Sequence, residues 1–553
     1  MGFILTAAGV RVLRQPQGVE RSGQQQQNHD RNPSAAGGGA MLGHTVEAPK
    51  ALLLDGASLS IMMAAMIQPR QTTDRRPLAL LAALLALHVA TNLIWLAQTT
   101  SVEIGLPHNH LFQALDHALD LPGDGAWGQP DSFVYPLSSF FVRLLGPSYL
   151  SVTFVHTFFF LIAILGVFCL GRALRDSWTG LSAATLFSFM PAAYGMSRLY
   201  SDLPLATAAA AWALWALWRA ARGWIWGWAL AGALIVVAAY GMFVPSNTVL
   251  IALALAGPTC AALVAAYRRS GRGGRVVVAA VFAFVAGVTL LQIVSGALFE
   301  NYYFKESARF ADVSLWRHPH YVITQLVLLG GYVLRPLLAL ALIVGTVLAF
   351  RNKSEGRWFL LLGVVVPLVV LTLVPKRKDL NLFPLLPAAA VLTAMGLAQL
   401  RRARPLIAGL VAVAFLQFAY HTVTPYSPAR LVDALRLSPG LEAPPYPWAT
   451  APYRHPPAHR AASAIVAEAA RRYPPATRST VHLVSMEEPR NDALQFELAL
   501  MDRRIIYHGP EWQGGEPAVK GDLLLVPAGV PVPPGAEKIA ATAFYGLYLP
   551  NSE

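Results

Sequence analysis

The feature that most constrains this chain is a repeated run of apolar residues. From Leu78 onward, runs of about 17–25 residues, the length a bilayer core demands, alternate with short polar loops. They fall near 78–97, 148–171, 178–195, 203–218, 224–243, 247–266, 276–298, 334–350, 357–374, 382–400 and 405–420. Composition agrees. Of 553 residues, 55% are apolar and 13% charged, and mean hydropathy is +0.47. A soluble globular chain carries about 25% charged residues. An ordinary soluble enzyme and a disordered scaffold are both excluded. The expectation is a polytopic α-helical membrane protein with about eleven transmembrane helices.

Charge then orients the spans. The 43 Lys+Arg against 30 Asp+Glu give a net +13. In a membrane protein such an excess reflects orientation and not nucleic-acid binding. Arg75/Arg76, Arg172/Arg175, Arg219/Arg222, Arg268/Arg269/Arg272/Arg275, Arg351/Lys353/Arg357 and Arg401/Arg402/Arg404 all fall on one side if the spans alternate. By the positive-inside rule that side is the cytoplasm. The reading is a multi-pass protein of the inner (plasma) membrane with a cytoplasmic N-terminus. Cys169 and Cys260 both lie in apolar runs, so neither a disulfide framework nor a metal cluster is expected.

The flanks differ from the middle. Residues 1–75 hold a glutamine run at 24–27 and a glycine run at 37–39, without sustained apolar periodicity, and read as disordered. Met41, Met62, Met63 and Met66 are alternative starts, and no cleavable signal peptide is evident. An odd number of crossings puts 421–553 outside the cytoplasm. There, 481–486, 504–507 and 522–527 read as strands and 461–472 and 492–501 as helices, giving a small extracytoplasmic α/β domain. The transmembrane domain is 76–420.

Four pieces on the outer side carry the functional reading. In the loop 98–147, Leu111, Ala114, Leu115, Ala118 and Leu119 recur at helical spacing, opposite His110, Gln113, Asp116, His117 and Asp120. This predicts an amphipathic helix on the bilayer surface. Glu103, His108, His110 and Asp116 cluster about its start; they are either candidate proton acceptors or the scattered polar residues of a solvated loop. The turn Ser197-Arg198-Leu199-Tyr200-Ser201-Asp202-Leu203-Pro204 sets an Arg and an Asp near the membrane surface, where ionisable groups are costly and often functional. Asp202 is either a site residue or the cap of the helix that Pro204 begins.

Pro375-Lys376-Arg377-Lys378-Asp379 places three consecutive cations on the wrong side. A compensating anion fits, and phosphate suits the Arg fork and the Lys point charge; a nonspecific phospholipid headgroup is the alternative. The fourth piece, 299–320, carries Lys305, Glu306, Arg309, Asp312, Arg317, His318 and His320 at no metal-binding spacing.

Three segments together resemble the GT-C class of polyprenyl-phosphate-sugar-dependent glycosyltransferases, the family of protein mannosyltransferases and aminoarabinose transferases. They are Tyr135-Pro136-Leu137 with Gly146-Pro147; Leu170-Gly171-Arg172-Ala173-Leu174, Gly180-Leu181-Ser182-Ala183-Ala184 and Ser197-Arg198 through Asp202-Leu203-Pro204; and Pro375 through Asp379 with Phe383-Pro384-Leu385-Leu386-Pro387. The likeness spans about residues 78–420 and implies sugar transfer on the outer face from a polyprenyl-phosphate-linked donor. The acceptor is an envelope lipid, glycan or protein.

The resemblance implies a first-loop carboxylate as general base and basic residues holding the departing phosphate. Asp202 matches the family block directly. At the first-loop position this chain reads Pro107-His108-Asn109-His110, so Glu103, Asp116, His108 and His110 stand as alternatives for the base. Lys376, Arg377, Lys378 and Arg198 are the candidates for donor phosphate. The sequence shows no Walker-type glycine loop. No cofactor is required, and the carboxylates leave room for a divalent cation. Two other readings remain: a noncatalytic relative that binds polyprenyl lipid, and a secondary transporter, which would show an internal repeat that is not evident here.

Overall fold

The computed structural model describes residues 75–98, 132–146, 148–242, 248–271, 328–373, 379–400, 402–423, five strands between 480 and 549, and a few isolated positions. The segment 1–74, the amphipathic stretch after His110, the run at 276–298 and the loop 299–320 lie outside the described residues.

The helices follow the apolar runs. They are α1 (Arg76–Gln98), α2 (Val134–Leu145), α3 (Tyr149–Leu174), α4 (Ser177–Ser188), α5 (Pro191–Met196), α6 (Leu203–Ala221), α7 (Trp226–Gly241), α8 (Thr248–Arg269), α9 (Pro336–Arg351), α10 (Arg357–Leu373), α11 (Leu386–Leu397) and α12 (Ala403–Val423). Among the described residues, α1, α3 and α8 have the length and hydropathy to cross a membrane. Most of the others are shorter apolar helices.

Two expected spans are interrupted, each at a proline. The run near 178–195 stops at Ser188 and restarts at Pro191, whose missing N–H suits a first turn. The run near 382–400 begins as a 3-10 turn, Asp379–Leu385, before α11 takes over with Pro387 in its first turn.

Local sequence explains the starts. Gly146 adopts φ +80°, a conformation that disfavours side chains, just ahead of Pro147. Ser148 then caps α3 through a reciprocal box: its hydroxyl accepts from the Ser151 N–H at 3.1 Å, and the Ser151 hydroxyl accepts from the Ser148 N–H at 3.0 Å. Asp176 caps α4 by accepting from the Thr179 N–H at 2.7 Å.

The arrangement is layered by burial. Every residue of α11 is buried, and nearly every residue of α6, so these two helices form the centre. α3 packs on α6 and α4, α9 on α11, and α8 on α10. The outward faces of α7, α9 and α12 expose Val236, Val237, Leu340, Ile343, Val347, Val413 and Leu416. A rim that apolar on all sides belongs in lipid. The protein is a membrane protein.

Small residues set the closest approach. A Cβ on Gly171 would stand 2.8 Å from the Gly180 Cα, so the α3–α4 hairpin closes backbone against backbone. One end of the bundle is tied by arginines. Arg222 pairs with Glu355 at 2.5 Å and Arg269 reaches the same carboxylate at 3.7 Å, while Arg175 donates to the Ala398 carbonyl at 3.1 Å. The basic loops at 172–175, 219–222, 268–269 and 351–357 therefore share one end with the start of α12. The turn at 197–202 lies at the other.

The C-terminal region contains a five-stranded sheet of order β2-β1-β3-β5-β4, from β1 (Thr480–Val484), β2 (Arg504–His508), β3 (Leu523–Pro527), β4 (Glu537–Ala541) and β5 (Tyr545–Leu549). β1 pairs in parallel with β2 and β3, whereas β3–β5 and β4–β5 are antiparallel. The first three strands meet the sequence expectation. β4 and β5 lie beyond the expected strands; Glu537-Lys538-Ile539-Ala540-Ala541 of β4 lacks the β-branched or aromatic alternation that marks a strand. Apart from residues 464 and 465, which are helical, the expected helices 461–472 and 492–501 lie outside the described residues.

Gly180→Ala is expected to lower stability by about 1–3 kcal/mol, because its Cβ would meet the Phe168 carbonyl oxygen at 2.5 Å. Thermal unfolding of the purified variant in detergent checks this; an unchanged midpoint would show that the hairpin adjusts freely.

Candidate functional site

At the end opposite the arginine-tied loops, α1, α3 and the turn at 197–202 enclose a cluster of buried polar groups. The turn itself begins where α5 stops. The Arg198 N–H donates to the Gly195 carbonyl at 3.1 Å and the Leu199 N–H to the Met196 carbonyl at 3.3 Å, tightening the last turn. The Ser197 hydroxyl donates to the Tyr194 carbonyl at 2.7 Å.

Neighbouring helices then grip the turn. The Asn92 amide of α1 donates to the Ser197 hydroxyl at 2.7 Å and more weakly to Thr157 at 3.3 Å. The Thr157 hydroxyl of α3 donates to the Ser197 carbonyl at 3.0 Å, and the Tyr149 hydroxyl donates to the Arg198 carbonyl at 3.1 Å.

Arg198 points inward and is 1% exposed. Its Nε donates to the Asn92 Oδ1 at 3.0 Å. The guanidinium carbon lies 5.5 Å from the Trp95 ring centre, 5.4 Å from Tyr194 and 5.2 Å from Phe418. Burial pulls its pKa down to about 10, with Tyr194 opposing the shift, so it remains a cation at neutral pH. Phe418 also packs against His88, with ring centres 5.5 Å apart, and Phe160 and Phe189 complete the His88 surround at 5.3 Å each.

Asp202 is 3% exposed. It stands at the N-cap position of α6, where its carbonyl accepts from the Ala206 N–H at 3.1 Å, but its carboxylate makes no cap hydrogen bond. Ser201 serves instead, its hydroxyl accepting from the Leu203 N–H at 3.3 Å. The capping account of Asp202 offered by the sequence is therefore not what its side chain does.

Asp202 has phenols for neighbours. Burial, then the neighbouring Tyr200 and the Asp202 carboxylate, hold the Tyr135 phenol above its ordinary range. Tyr200 is buried, 3.2 Å from the Ser138 hydroxyl and edge-on to His156 at 4.5 Å between ring centres. Its phenol is raised by burial and lowered by the Ser138 bond, with burial dominant. Both phenols are held protonated, Tyr135 within reach of the carboxylate's charge.

Of the residues named from sequence, Asp202 and Arg198 fall on one turn. Glu103, His108, His110, Asp116, Lys376, Arg377 and Lys378 lie outside the described residues. Among the described residues no three His, Cys, Asp or Glu side chains converge to hold a metal ion. The sequence reading passed over Asn92, Tyr149, Thr157 and Tyr200. Asn92 did leave a signal: an amide inside an otherwise apolar run is expensive unless it is used.

The bundle with this turn at one end has the fold of GT-C glycosyltransferases. ArnT from Cupriavidus metallidurans in the apo state superposes with a TM-score of 0.50 at 14% identity, over 84% of this chain and 98% of that one. The structure of the same enzyme bound to undecaprenyl phosphate gives 0.51 at 12% identity, over 86% and 98%. An oligosaccharyltransferase from Archaeoglobus fulgidus superposes more loosely, at 0.45 and 14% identity over 82% and 70%. No protein-family profile matches the sequence, and no curated protein matches it significantly.

Ser197→Ala removes the group that receives the Asn92 amide, and a loss of about 1–3 kcal/mol is expected for a buried donor left unmade. Unfolding of the purified variant measures it, and a loss within error would mean that Asn92 finds another acceptor.

Proposed function

We propose that this protein is an integral membrane glycosyltransferase that moves a sugar from a polyprenyl-phosphate donor to an envelope acceptor on the extracytoplasmic face. The observation that carries the reading is the superposition over 98% of ArnT, including the form bound to undecaprenyl phosphate. A buried carboxylate at the bundle end away from the basic loops supports it. With those loops in the cytoplasm of an inner-membrane protein, the turn at 197–202 faces outward.

The chemistry is a displacement at the anomeric carbon. The acceptor oxygen forms the new glycosidic bond as the bond from carbon to the phosphate oxygen breaks, and the electron pair leaves with the polyprenyl phosphate. The acceptor proton passes to a base within hydrogen-bond reach. Glu103, Asp116, His108 and His110 are the alternatives for that base, and Asp202 is assigned to the reacting centre. Fixed positive charge must receive the leaving phosphate, and Lys376, Arg377 and Lys378 supply it. Direct displacement inverts the sugar carbon.

The test is turnover of purified protein in lipid with a mixed pool of labelled polyprenyl-phosphate sugars and envelope extract. Release of polyprenyl phosphate together with a labelled product is expected. Tight binding without release would favour a noncatalytic relative and give meaning to Pro107-His108-Asn109-His110; no binding would point to transport.

Asp202→Asn is expected to cut transfer by at least about 100-fold while insertion stays intact. Replacing Lys376, Arg377 and Lys378 by Gln is expected to raise the donor KM more than it lowers the melting point. Comparing Glu103→Gln, Asp116→Asn, His108→Ala and His110→Ala in the same assay identifies the base, as the variant whose kcat collapses while donor binding holds.

A further inference from the structure

We infer that Arg198 is a positioning residue, which acts on sugar transfer by holding the turn that carries Asp202 and not by touching the donor phosphate. The inference rests on the glycosyltransferase reading and assigns one cation of its site a different task from the others.

A phosphate-binding arginine must present its fork to the ligand. Here the guanidinium is 1% exposed, lies over Trp95, Tyr194 and Phe418 at 5.2–5.5 Å, and donates its Nε hydrogen to Asn92 Oδ1 at 3.0 Å. Its partners come from α1, α5 and α12, so the side chain joins three helices below the turn. Asn92 is the hinge of the arrangement. Its carbonyl oxygen takes the Arg198 Nε hydrogen while its amide holds the Ser197 hydroxyl at 2.7 Å.

The main chain of the same two residues is fixed from α3, through Thr157 to the Ser197 carbonyl at 3.0 Å and Tyr149 to the Arg198 carbonyl at 3.1 Å. The chain at Ser197 and Arg198, four residues ahead of Asp202, is thus held from both sides. Asp202 follows on the same turn, at the start of α6, so a shift of the Ser197–Arg198 backbone is passed on to it. A reacting group displaced by about an ångström loses rate without losing affinity for ligands bound elsewhere.

The experiment uses the full chain in lipid nanodiscs, with Arg198→Met, Arg198→Lys, Asn92→Ala and the double variant Asn92→Ala/Arg198→Met. Three quantities are read: kcat, donor KM and the affinity for undecaprenyl phosphate. Arg198→Met and Asn92→Ala are each expected to lower kcat by about tenfold, with donor KM and undecaprenyl phosphate affinity within about twofold of wild type. The double variant is expected to fall little further than Arg198→Met, because both remove one contact. Arg198→Lys is expected to stay impaired, since a lysine keeps the charge but neither the planar stack nor the Nε bond.

The inference is overturned if Arg198→Met weakens undecaprenyl phosphate binding about tenfold or more while Asn92→Ala leaves it unchanged, or if Arg198→Lys restores wild-type turnover, or if all variants turn over normally. Should Arg198→Met fail to fold, Asn92→Ala retains the arginine and decides alone by the same split. A wild-type chain that neither binds undecaprenyl phosphate nor transfers sugar overturns the glycosyltransferase reading itself, a result separate from any variant.

Discussion

A guanidinium taken out of water in an apolar bundle must recover its hydration from the protein, and much of this structure is arranged around that requirement. Among the described residues, Arg198 donates a charge-assisted hydrogen bond to Asn92 and lies over the rings of Trp95, Tyr194 and Phe418. Each ring contributes about 0.5–2 kcal/mol to a desolvated cation, and a hydrogen bond to a charged group about 1.5–3 kcal/mol. Their sum depends on α1, α5 and α12 being in register, so the polar turn and the apolar packing are not separable. A misplaced helix leaves the charge uncovered, a penalty far larger than the loss of one apolar contact.

Much of the helical frame was legible in the sequence. Runs long enough for a bilayer need little more than counting, and α1, α3 and α8 coincide with them. Sequence periodicity was weaker where a proline falls inside an apolar run. Pro191 ends one helix and starts another, whereas Pro258 and Pro367 lie within α8 and α10 without ending them. Composition is the same in both cases. What differs is whether neighbouring helices keep the chain straight, which a single sequence does not record.

The candidate site divides along similar lines. Asp202 and Arg198 stood out because charges near a membrane surface demand a reason, and both prove to be buried on one turn. Their relation did not stand out. Asn92 lies 106 positions from Arg198, and Phe418 comes from α12, far along the chain. Such partners are set by packing and leave no spacing to read. The motif glycines are the converse case: Gly146 is required by a positive φ and Gly171 and Gly180 by backbone contact, so their conformational reasons appear only in three dimensions.

The third wall of the arginine cage has a bearing on how the protein is made. Phe418 sits in α12, the last of the described apolar helices to leave the ribosome, while Trp95 and Tyr194 are synthesised much earlier. Until α12 is made, the turn bearing Asp202 lacks the Phe418 face of its cation. Insertion of α12 supplies that face. Packing around the polar turn is thereby tied to a late-made helix, so a nascent chain that has not yet made α12 lacks one of the ring faces around Arg198.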